Sequence, residues 1–113
     1  MIQTKEEAIN FISETEAIIN DPDQIAMFTG VLKSKWGGIT DRNSFKNFFT
    51  NYLNDCPNSA IVKGVNIDAD AQVLWEKIDV NKNNQLDKDE ENSVIVEIMK
   101  HSLGLVKKYF NIQ

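Results

Sequence analysis

Asp79-Val80-Asn81-Lys82-Asn83-Asn84-Gln85-Leu86-Asp87-Lys88-Asp89-Glu90 is the stretch on which the reading of this 113-residue chain turns. Counting Asp79 as position 1, Asp79, Asn81, Asn83, Asp87 and Glu90 place side-chain oxygens at positions 1, 3, 5, 9 and 12. A hard cation takes about 6 to 8 oxygen ligands at roughly 2.3 to 2.6 Å, and oxygens spaced this way along one tight turn meet that demand. The competing reading is a solvated turn between two helices, because Asp and Asn favour loops through hydrogen bonds to their own backbone.

The flanks have helical spacing. Trp75 and Ile78 lie four and one residues before Asp79, and Val94, Ile95, Ile98, Met99 and Leu103 follow Glu90 at intervals of one helical face. From Ala71 to Leu103 the chain therefore resembles an EF-hand, the helix-loop-helix unit of the calmodulin-like superfamily. The resemblance implies Ca2+ held by the side chains of Asp79, Asn81 and Asn83, the carbonyl of Gln85, Asp87 through a water, and two oxygens of Glu90. It also makes Leu86 the apolar residue that faces the core and pairs with a sister loop. One position departs from the pattern: Asn84 stands where the family usually has Gly. Asn is the non-glycine residue that enters the left-handed region most readily, so the departure implies a small loss of affinity and not of the site. With Asp79, Asp87 and Glu90 as the charged ligands, micromolar or weaker affinity and competition by magnesium are expected.

EF-hands usually occur in pairs, and the best sister centres on Gly37 and Ile39. With Ile39 at position 8, Phe28 and Val31 fall where Trp75 and Ile78 stand in the other unit, and the loop reads Leu32-Lys33-Ser34-Lys35-Trp36-Gly37-Gly38-Ile39-Thr40-Asp41-Arg42-Asn43. Asp41 is its only acidic side chain and Asn43 closes it without a bidentate acid. We read this as a degenerate hand that packs without chelating, an irregular site built from backbone carbonyls being the alternative. Phe45, Phe48 and Phe49 fall one step later than their counterparts, which implies a one-residue insertion.

The remaining segments are helical in pattern. A first helix over 5–19 starts at Thr4 with Glu7 in capping-box position and stops at Asn20-Asp21-Pro22. Asp21 caps a second helix, running to about Lys35, with Pro22 in its first turn. Gly37 and Gly38 permit a reversal, Thr40 caps a third helix from about Asp41 to Asn54, and Phe45, Phe48, Phe49, Tyr52 and Leu53 form its stripe. A linker follows to about Ile67, and Asp68 caps a fourth helix. Gly104 is expected to interrupt the fifth, leaving a short terminal helix over 105–112. The fold class is thus all-α: one domain over 1–113, made of an N-terminal helix, a degenerate hand over 22–54, a linker over 55–68, a calcium-binding hand over 69–103 and a short C-terminal helix. The expected core is Phe28, Phe48, Phe49, Trp75, Ile95 and Ile98, bridged through Ile39 and Leu86.

Composition bounds the rest. A net charge of −5 argues against nucleic acid and anionic membranes, whose binders rely on clustered Lys and Arg. A single Cys56 rules out an internal disulfide, and no apolar run nears the roughly 20 residues of a membrane span, so a cytoplasmic setting is expected. His101 and Cys56 lack the partners of an acid-base or nucleophilic site, no phosphate loop or zinc spacing is present, and no enzyme activity is expected. Met27, Met99, Phe48 and Phe49 are either ordinary core or the lining of a groove for a target helix. The expected function is a calcium sensor acting on a protein target, an amphipathic helix or a cytoskeletal protein; a calcium buffer and a calcium-independent structural adaptor are the rivals. The Asn- and Ile-rich usage resembles calcium-binding proteins of ciliated protozoa, including a cytoskeletal one built from two such halves, which implies either a monomer or half of a larger chain.

Overall fold

The computed structural model describes residues 2–39, 41–55, 66–78 and 88–112, with the side chains of 88–90 excepted. Among these residues there are five helices and no strand: α1 (Lys5–Ile19), α2 (Pro22–Trp36), α3 (Arg42–Leu53), α4 (Ile67–Ile78) and α5 (Lys88–Phe110).

Local chemistry sets the helix starts. The Thr4 hydroxyl accepts the Glu7 amide at 3.2 Å, while the Glu7 carboxylate reaches back to the amide of Gln3. Asp21 accepts the amides of Asp23 and Gln24, and Pro22, needing no donor in the first turn, follows it. Two expected caps move by a residue or two. Asp41, not Thr40, caps α3 in a reciprocal box: its carboxylate accepts the Ser44 amide at 2.8 Å and its own amide donates to the Ser44 hydroxyl. The Ser44 amide, then the Ser44 hydroxyl, hold the Asp41 carboxyl below its ordinary range, because both bonds favour the ionised form. Asn66, not Asp68, supplies the oxygen that accepts the Ala69 amide at the start of α4. Asp68 sits in the first turn, where its charge suits the helix dipole and pairs with Lys46 of α3 at 2.6 Å.

The main core lies among α2, α3, α4 and the first half of α5. Phe45, Phe48, Phe49, Tyr52 and Leu53 of α3 are all buried there, with Leu74, Trp75 and Ile78 of α4 and Val94, Ile95, Ile98 and Met99 of α5. Phe45 stacks on Phe49 with centroids 5.9 Å apart and tilts against Trp75 at 5.6 Å, so the aromatic stripe joins α3 to α4. Phe28 is only half-buried at the margin. Of the four residues read as either ordinary core or groove lining, Met99, Phe48 and Phe49 are buried in the core, whereas Met27 is 70% exposed on α2.

A second cluster corrects the C-terminus. Ile2, Ala8 and Ile12 bury against Leu103 and Val106 of α5. Gly104 lies between those two contacts, and α5 runs unbroken for 23 residues to Phe110, so no separate terminal helix exists. Burial on both sides of the glycine outweighs its propensity cost of about 1 kcal/mol. The helix ends at Asn111, the one described non-glycine residue with positive φ (57°), where the Ile112 amide bonds back to the Lys107 carbonyl at 2.8 Å and Asn111 to Lys108 at 3.3 Å. That pattern closes the last carbonyls, and half-buried Ile112 packs on the second cluster.

Candidate metal centre

The proposed ligands Asp79, Asn81, Asn83, Gln85 and Asp87 lie outside the described residues, as does Leu86; Glu90 falls within the first turn of α5, its side chain likewise outside them. What is described is the frame. α4 ends at Ile78, the residue before position 1, and α5 begins at Lys88, position 10. Trp75 and Ile78 on one side and Val94, Ile95 and Ile98 on the other are buried in one core, so both ends of the 79–90 stretch are anchored. Lys77 pairs with Glu97 at 3.3 Å, and His101 Nε2 lies 3.1 Å from Asp70 Oδ2 beneath the Phe49 ring, so two polar contacts bridge α4 and α5. His101 is thereby a packing residue between two helices.

The connection between α2 and α3 differs from a twelve-residue loop. Helix α2 continues through Trp36, so residues 32–36, the first five positions of the aligned register, are helical, and their side chains radiate from the axis instead of converging. Gly37 stops the helix at φ 83° and ψ 170°, a region open in practice only to glycine, with its amide bonded to the Lys33 carbonyl. Trp36 then packs edge-on against Phe48 at 5.3 Å, turning the chain toward α3. Ile39, expected to bridge to Leu86, is 1% exposed.

One residue that the sequence reading passed over joins the two regions. Glu91, 7% exposed, receives the Ile39 amide on Oε2 at 3.0 Å and pairs through Oε1 with the Lys33 ammonium at 2.8 Å. The signal was present: Glu91 stands three, four and seven residues before Val94, Ile95 and Ile98, a charge on the apolar stripe of α5. Among the described residues no group of three or more His, Cys, Asp or Glu side chains is placed to hold a metal. No described helix is long and apolar enough to cross a membrane.

In comparisons with known proteins, the chain matches no protein-family model, no curated protein and no solved structure.

Proposed function

We propose that this chain is a calcium-binding regulatory protein of EF-hand type, with Ca2+ held by Asp79, Asn81, Asn83, the Gln85 carbonyl, Asp87 and Glu90. The observation that carries the reading is the oxygen pattern of 79–90 set between two helices that end and begin at Ile78 and Lys88. The packing of the helices is in keeping with a pair of units. α2 lies against α5 and α4 against α3, so the entering helix of each unit packs on the exiting helix of the other. The first unit is the packing member, its connection shortened by the extra helical turn to Trp36.

In this proposal calcium acts by pulling the ends of α4 and α5 toward one ion and changing the angle between them. The side chains such a change would bring toward a target are Phe48, Phe49 and Met99, buried in the main core; Met27 and Val31 are already exposed on α2. A protein target, an amphipathic helix or a cytoskeletal protein, then reads that surface in the cytoplasm.

Calorimetry on the wild type and on Glu90→Gln tests the site. One calcium per chain is expected, with affinity lost at least about tenfold in Glu90→Gln, since a bidentate carboxylate becomes a neutral ligand. Wild-type protein that takes up no heat at millimolar calcium would sink the proposal. Binding of an apolar dye that rises with calcium supports sensing; unchanged dye binding alongside normal calcium uptake assigns a buffer instead.

A further inference from the structure

Glu91 is the only charged side chain buried among the described residues. It stands in the first turns of α5, and its carboxylate reaches across 52 positions of sequence to the α2–α3 connection. There it takes one charge-assisted bond from the Ile39 amide and one ion pair from Lys33 on the last turn of α2. Gly38 lies beside this pair: a Cβ on that residue would stand 3.4 Å from both Glu91 Oε2 and Lys33 Cε. The Lys33 ammonium supplies the positive charge this connection needs around a carboxylate.

We infer that Glu91 is a latch that makes the α2–α3 connection move with the beginning of α5, so that events in the 79–90 loop are transmitted to the first unit. The inference rests on the calcium site proposed above. Glu91 follows Glu90, the last ligand position, on the same rigid turn, so displacement of that turn carries the Glu91 backbone with it. A buried carboxylate stripped of its partners is strongly disfavoured, and its partners are held by short, directional bonds. The low-cost response is for Ile39 and Lys33 to follow. Because Ile39 is buried beside the α3 stripe, and Lys33 sits one turn before Trp36, the movement reaches both helices of the first unit without any ion bound there.

Amide NMR with calcium chloride tests this on the wild type, Glu91→Ala, Glu91→Gln and Lys33→Met. In the wild type the Ile39 amide shifts with the same midpoint as Asn84 and Leu86. In Glu91→Ala the loop amides still saturate while the Ile39 response is lost, and without calcium the Ile39 amide exchanges its hydrogen about ten- to a hundredfold faster, the effect of losing a bond to a charged acceptor. Glu91→Gln keeps a neutral acceptor and recovers part of that protection. Should Glu91→Ala fail to fold, Lys33→Met, which removes a half-exposed partner, carries the test and also speeds exchange at Ile39. An Ile39 response undiminished in Glu91→Ala, or absent in a wild type whose loop amides do respond, overturns the latch. Silence throughout 79–90 in the wild type overturns the calcium site itself, while unchanged hydrogen exchange at Ile39 in the variants refutes the latch independently of calcium.

Discussion

Gly37 and Gly38 are adjacent, but the backbone demands glycine at the first of them. Gly37 carries the backbone through φ 83° and ψ 170°, where a Cβ meets its own carbonyl environment even though nothing else lies within 4 Å of it. Gly38 lacks positive φ, and a Cβ there would come to 3.4 Å, van der Waals contact, from the ends of the Glu91 and Lys33 side chains. Gly37→Ala is therefore expected to destabilise the fold by about 1 to 3 kcal/mol, the usual cost of holding a non-glycine residue in such a region. Chemical denaturation monitored by fluorescence reads it, with Trp36 next to the strained residue as a local reporter. A midpoint equal to the wild type's would show that the connection relaxes to another conformation. At this scale the sequence reading found the reversal at the glycine pair, where Gly37 ends α2. It did not find Glu91, because a single charge on an apolar stripe names no partner until the fold brings Lys33 and the Ile39 amide to it. The ligand residues 79–90 rest on their spacing alone, since most of that stretch lies outside the described residues.

Helix boundaries came out of the sequence well where local chemistry decides them. Thr4, Asp21 and Pro22 place the start of α1 and α2, and the spacing of Phe45, Phe48, Phe49, Tyr52 and Leu53 marks the buried face of α3. Caps were misplaced where two candidates stand close together: Asp41 outcompetes Thr40 because Ser44 completes a reciprocal box, and Asn66 outcompetes Asp68. The largest miss is the break at Gly104, where tertiary packing overrides propensity. Helix α5 is continuous because Leu103 and Val106 bury against α1 on either side of that glycine. The glycine is exposed, has no positive φ, and a Cβ there meets nothing within 4 Å. Gly104→Ala should then stabilise the protein by about 0.5 to 1 kcal/mol, through a less flexible unfolded chain and a better helix former. A raised denaturation midpoint with an unchanged slope on denaturant is the expected result. A lowered midpoint would mean that α5 needs its glycine, as a bend or for a contact outside the described residues.

Across the whole molecule α5 is the shared member. Its first half closes the main core with α2, α3 and α4, and its second half closes the smaller cluster with α1, so neither cluster keeps its full set of side chains without the same helix. Two further ties cross the molecule, Lys107 to Glu16 of α1 and Glu91 to the α2–α3 connection, though the first is solvent-exposed and contributes little. A ligand that binds only the folded state stabilises it by an amount set by concentration, about 2.7 kcal/mol when free ligand exceeds its dissociation constant a hundredfold. If the 79–90 loop binds calcium, that stabilisation enters at the start of α5, and a helix shared by both clusters passes it to α1 at the other end. Hydrogen exchange should therefore slow about a hundredfold in calcium at amides that open only with the whole chain. The factor should be the same for Ile12 in α1 as for Ile98 in α5, although Ile12 belongs to the second cluster and Ile98 to the main core. Protection confined to α4 and the first half of α5 would show that α1 opens on its own, making the second cluster a separately unfolding unit; equal protection makes the five helices one cooperative unit held by α5.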